Sequence, residues 1–119
     1  MGKVKIVIPI HRETLNPHER LSLLHNLELL RRHPVAILCP EGLRLPEETA
    51  GLDTVRVSDE WLGTRNGIAG YNRMMLSRAF YDLFADSEYI LICQPDVWIF
   101  RDELEAWCDR GYDCIGAPW

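Results

Sequence analysis

KVKIVIPI, residues 3–10, begins with lysines and then runs through Val4, Ile6, Val7, Ile8 and Ile10 almost without a polar break. A charged start followed by an apolar run is also the outline of a secretory leader. Here the apolar part is short, rich in β-branched residues, and closed by Pro9 and charged residues with no small-residue cleavage site. The run therefore predicts a β-strand. Its near-continuous apolar character predicts that both faces of that strand are covered, as in parallel sheets.

Outward from this strand the signals alternate. Asn16 stands before Pro17 with Glu19 three residues after Asn16, which combines an N-cap, a proline at the first helical position and a capping-box acid. Leu21, Leu24, Leu27 and Leu30, with Leu23 beside them, recur at helical spacing until Arg31, Arg32 and His33 precede the stop at Pro34. Residues 35–39 predict a second strand, closed by Pro40 and Gly42, and residues 54–57 a third, followed by Ser58 and Asp59. The segment between them is proline-rich and irregular. A long helix is predicted over residues 68–84, with Ile68, Tyr71, Met75, Ala79 and Leu83 on one face and Leu76, Phe80 and Phe84 widening it. Residues 89–93 predict a fourth strand. Asp102 with Glu105 repeats the cap-and-acid spacing and opens a short helix to Asp109, which Gly111 terminates, and residues 112–115 predict a fifth strand.

Strands separated by helices imply an α/β fold: a mostly parallel sheet of four to five strands with helices on both faces, Rossmann-like, in one domain over residues 1–119. In such sheets ligands bind beyond the carboxyl ends of the strands, where strand order reverses. A net charge of −5 argues against a nucleic-acid partner, and no apolar run reaches the length of a membrane span. Cys39, Cys93, Cys108 and Cys114 contain no CxxC pair, which predicts reduced structural thiols and a cytoplasmic setting.

The strand exits hold the chemistry. Ile10, His11, Arg12 and Glu13 follow the first strand, and Gln94 and Asp96 end the fourth in the stretch LICQPDVWIF, residues 91–100. Arg65, Asn66, Asn72 and Arg73 surround the start of the second long helix, where Gly67 and Gly70 hint at close backbone approach. Neither GxxxxGK[ST] nor GxGxxG occurs, so a phosphate group needs another strategy: an arginine, amides at the helix start, and a divalent cation anchored on Asp96. Each residue also has a plainer reading. On local sequence Asp96 is more often a turn residue than a metal ligand, Arg12 and Arg73 are usually solvated charges, and Asn72 is a water-facing amide. His11, His18, His25 and His33 form no ligand cluster.

The segments IPIHRETLN (residues 8–16), GYNRMMLS (70–77), YILICQPDVWIFRDELEAWCDRGYD (89–113) and IGAPW (115–119) resemble a bacterial family of unknown function grouped with nucleotide-sugar glycosyltransferases. That resemblance implies a GT-A-like fold, in which a strand-end Asp-x-Asp binds Mn²⁺ or Mg²⁺ and the ion holds the diphosphate of a nucleotide-diphospho-sugar. By position Asp96 takes the place of the second acid and Gln94 replaces the first, so metal affinity is expected to be weaker than with two carboxylates. The resemblance further implies that Ile10, His11, Arg12 and Glu13 contact the base or ribose and that Asn72 and Arg73 lie near the donor phosphates. A GT-A enzyme continues into an acceptor-binding half after this point, so the chain is read as a donor-binding half serving glycosyl transfer. The alternative is a non-catalytic α/β module in which Trp98, Trp107 and Trp119 serve protein contacts or homo-oligomer assembly.

Overall fold

Four strands, β1 (Val4–Pro9), β2 (Val35–Pro40), β3 (Asp53–Val57) and β4 (Tyr89–Ile92), form one parallel sheet in the order β3-β2-β1-β4. The computed structural model describes residues 4–62 and 67–111. The expected fifth strand at residues 112–115 lies outside the described residues, as do Arg65, Asn66, Cys114 and Trp119. Among the described residues no helix is long and apolar enough to cross a membrane.

The alternation along β1 explains its unbroken apolar sequence. Val4, Ile6, Ile8 and Ile10 point to one side and pack with Leu23 and Leu30 of helix α1 (Pro17–Leu29) and its end. Val7 points to the other, where Met74, Phe80 and Phe84 cover the sheet from helices α2 (Gly67–Met75) and α3 (Arg78–Asp82) and the turn beyond. Each fully buried side chain of this kind contributes about 1.5–3 kcal/mol. Both faces of the sheet are therefore covered, as the strand composition predicts.

The N-terminus of α1 forms as its sequence dictates. Asn16 accepts from the Glu19 N–H at 2.8 Å, and the Glu19 carboxylate accepts from the Asn16 N–H at 3.0 Å. The buried face of the helix differs from the leucine stripe. Leu21 and Leu24 are exposed, while Glu19, Ser22, Leu23 and Asn26 are buried. Burial of these polar groups is tolerated because Glu19 and Asn26 are hydrogen-bonded, Asn26 through contacts distant in sequence.

The predicted long helix is two. Ser77 is extended (φ −88°, ψ 129°) between α2 and α3, and its N–H bonds to the Met74 carbonyl at 3.0 Å. Met74 and Phe80 would lie about 120° apart around an unbroken helix; the break brings both into one core. Ile68 is 80% exposed and Leu76, at the break, 88% exposed, although the periodicity placed both on an apolar face. The Tyr81 hydroxyl donates to the Met75 carbonyl at 2.6 Å, satisfying an acceptor left open where α2 ends.

Helix α4 (Leu104–Cys108) begins two residues after Asp102. Asp102 Oδ1 accepts from the Leu104 N–H at 3.2 Å, while Oδ2 lies 2.9 Å from His33 Nε2 and 3.0 Å from Arg32 Nη2. The carboxylate thus ties the start of α4 to the end of α1. Burial by itself would raise the Asp102 pKa, but the Leu104 N–H, Arg32 and His33 outweigh it and hold the carboxyl below its ordinary value.

Candidate functional site

From β1 the chain moves outward to β2 and β3, then returns to place β4 on the opposite side of β1. The carboxyl ends of β1 and β4 are therefore the switch point of this sheet. The ladder continues past both strands, since the Ile10 N–H donates to the Leu38 carbonyl at 2.8 Å and the Cys93 N–H to the Val7 carbonyl at 2.9 Å. This fixes His11 and Gln94 as the first groups beyond the buried edge.

Two cavities open at that edge, and His11 and Gln94 line both. On the α2 side lies a cavity of about 280 Å³ between Pro9, Leu62, Ile68 and Tyr71, with Gly67 at its rim. Gly67 starts α2 at a φ of +54°, a conformation a side chain would strain. On the α1 side a smaller, more polar cavity of about 160 Å³ is lined by Arg12, Glu19 and Asp96, with Ile10 and Leu15 beneath. The two adjoin across the mouth of the sheet.

Asp96 is a turn residue beside a cavity. It sits in a turn closed by the Val97 N–H on the Gln94 carbonyl at 3.1 Å, with Pro95 in the second position, and it also lines the polar cavity. The turn is anchored from α1. Asn26 Nδ2 donates to the Val97 carbonyl at 2.6 Å, and Asn26 Oδ1 accepts from the Ile99 N–H at 3.0 Å. His25 lies flat on Trp98, ring centroids 3.7 Å apart and planes within 5°, and its Nε2 lies 2.7 Å from the Ile99 carbonyl. A single helical turn of α1 therefore holds the backbone that presents Asp96.

The expected site residues divide. Ile10, His11, Arg12, Gln94 and Asp96 come together at the two cavities. Glu13, Asn72 and Arg73 are exposed and line neither cavity. In place of Asn72 and Arg73, helix α2 presents Tyr71, whose hydroxyl is 3.5 Å from Gln94 Nε2. Burial pushes the Tyr71 phenol upward, with the Gln94 contact opposing and Tyr81 adding to the rise, so it remains protonated at neutral pH. Tyr71, Glu19 and Asn26 are the residues that sequence periodicity does not single out for the site. Only the capping-box spacing of Glu19 signalled a special role for any of them.

Cys93 sits beneath the Asp96 turn. Burial raises its thiol pKa, the Asn26 amide opposes, and the nearby Asp96 charge adds to the rise. It is a buried apolar thiol, as is Cys39.

For a divalent cation the donors lining the polar cavity are the Asp96 carboxylate, the Gln94 amide oxygen and His11, the Glu19 carboxylate being held by Arg12 and the Asn16 N–H. Among the described residues no group of three or more His, Cys, Asp or Glu side chains is arranged to hold a metal. A protein-only cage is therefore not what these donors fit. They fit the mode in which one carboxylate and the oxygens of a bound phosphate share the ion with water.

Residues 51–119, more than half of the chain, match DUF5672, a protein family of unknown function. The chain belongs to the DUF5672 family. The DUF5672 match takes in Tyr71, Gln94 and Asp96, whereas the β1 exit with His11 and Arg12 precedes it. Comparisons of the chain with curated proteins and with solved structures give no match.

Proposed function

We propose that this DUF5672 domain binds a nucleotide-diphospho-sugar across the β1/β4 switch point, as the donor for glycosyl transfer to an acceptor hydroxyl. One observation carries the reading: an apolar cavity containing Tyr71 adjoins a polar one containing Arg12 and Asp96, with His11 and Gln94 common to both. A nucleotide sugar has the same division, a flat base at one end and a dianionic bridge further along. The apolar cavity suits the base, which stacks on aromatic and apolar walls, and the polar one suits the diphosphate.

When a sugar leaves its diphosphate, negative charge grows on the departing oxygen, and a cation fixed beside that oxygen lowers the barrier. Among the described residues, Arg12 lines the polar cavity, which supports that role for it. A Mn²⁺ or Mg²⁺ ion shared between Asp96 and the diphosphate supplies further neutralisation when bound.

Thermal unfolding with UDP, GDP, dTDP and CDP sugars, with and without Mn²⁺, tests the reading on the wild type and on Asp96→Asn. A donor at about a hundredfold over its dissociation constant adds about 2.7 kcal/mol of stability. The metal-dependent part of the shift disappears in Asp96→Asn. A metal-dependent shift that survives the substitution puts the ion elsewhere.

A second reading rests on exposed aromatic surface. Phe100 is 86% exposed close to Trp98, and Trp107 lies exposed under the Arg110 guanidinium at 4.4 Å. A non-catalytic module that assembles through these side chains is the better account if no nucleotide shifts the midpoint and the chain is a tight oligomer.

A further inference from the structure

Arg12 does not wait in the polar cavity as an open cation. Its guanidinium is paired with Glu19, and both side chains line that cavity. The two partners differ in freedom. Glu19 is buried, and its other oxygen accepts the Asn16 N–H that completes the α1 capping box. Moving it opens the helix start. Arg12 is about half exposed on a long flexible stem and follows the end of β1, so it can turn away with little loss.

We propose that Glu19 is an internal competitor for the anion that Arg12 receives, and that it makes the polar cavity selective for a diphosphate over singly charged anions. An entering monoanion offers the guanidinium no more charge than the carboxylate it displaces. The displaced Glu19 charge also remains in the cavity, near Asp96. A diphosphate brings two or more charges and several acceptor oxygens, enough to draw the half-exposed Arg12 guanidinium from its single contact with Glu19 into a bidentate one. The inference deepens the donor-binding reading and rests on it for the identity of the natural ligand.

Glu19→Gln separates the roles of the residue, because a glutamine at this position still accepts from the Asn16 N–H and keeps the capping box while removing the competing charge. Calorimetric titration of inorganic phosphate and pyrophosphate into wild type, Glu19→Gln, Arg12→Gln and the double variant reads the effect, at a mildly acidic pH where phosphate is a monoanion and pyrophosphate carries two or more charges. Expected for Glu19→Gln is binding of both anions about three- to tenfold tighter, with the relative gain larger for phosphate, so that discrimination narrows. Arg12→Gln, at an exposed position, weakens pyrophosphate binding and leaves phosphate unchanged. The gain of Glu19→Gln disappears in the double variant. A folded Glu19→Gln with wild-type affinities, or a gain that persists without Arg12, overturns the proposal. If Glu19→Gln fails to fold, equal effects of Arg12→Gln on both anions overturn it. Pyrophosphate behaviour as expected with no nucleotide sugar bound keeps the competitor and refutes the donor reading; nucleotide sugar bound with no Glu19 effect does the reverse. Wild type and variants that all ignore both anions overturn the proposal as well.

Discussion

Asn26 grips the chain on both sides of Trp98, donating from Nδ2 to the Val97 carbonyl at 2.6 Å and accepting at Oδ1 from the Ile99 N–H at 3.0 Å. The side chain behaves as a short length of β-ladder projected from a helix. Its burial is only compatible with stability because both ends are satisfied.

Asn26→Leu keeps the branched shape and removes both bonds, leaving the Val97 carbonyl and the Ile99 N–H without their partner. The expected loss is about 2–4 kcal/mol in urea unfolding at unchanged slope. Asn26→Asp is also destabilising, since it sets a carboxylate oxygen against the Val97 carbonyl. A loss under about 0.5 kcal/mol for both variants would place the substitution among ordinary surface changes and contradict this role for Asn26.

Asp102 makes stability depend on acid. Its folded pKa lies below the ordinary value of 3.8, so the folded state holds the ionised form more tightly than the unfolded state does. The stabilisation is fully present above the unfolded value and is lost as the pH falls through the folded one. Asp102→Asn should therefore lower stability at pH 7 by about 1–3 kcal/mol and flatten the decline below about pH 4. Urea midpoints measured from pH 7 to pH 3 check both parts. An acid limb identical in the two proteins would assign that decline to other carboxyls.

The break at Ser77 reverses which residues of residues 67–84 matter. Met74→Ala removes a fully buried side chain and should cost about 2–5 kcal/mol, whereas Leu76→Ser, at a position 88% exposed, should stay within about 0.5 kcal/mol. A continuous amphipathic helix, with Leu76 on its apolar face and Met74 about 160° away, predicts the larger cost at Leu76. Thermal or urea unfolding of the pair decides between the two arrangements.

That same break shows where sequence reasoning ends. The strands were legible because coverage on both faces leaves a local mark, an apolar run such as VKIVIP, and the start of α1 because the capping box closes within four residues. The split between α2 and α3 carries no proline or glycine; it follows from the need of Met74 and Phe80 to reach one core, which periodicity within the segment does not contain. The buried face of α1 was illegible for a related reason, since the partners that satisfy Asn26 lie 71 and 73 residues away. At the site, the strand exits pointed to His11, Arg12, Gln94 and Asp96 through topology alone. Tyr71 reads as one more apolar position on a helix until the sheet sets Gln94 beside it.

Backbone amide shifts during titration with UDP, GDP, dTDP and CDP sugars in the presence of diamagnetic Mg²⁺ test the donor-binding site most directly. At least one donor should move the amides of Tyr71 on one wall, Gln94 at the crest and Asp96 on the other, saturating together, and the Asp96 response should vanish when Mg²⁺ is removed by chelation. Saturating shifts confined to surfaces away from β1 and β4, or no shifts with any of the four, would contradict a nucleotide-sugar site at this switch point.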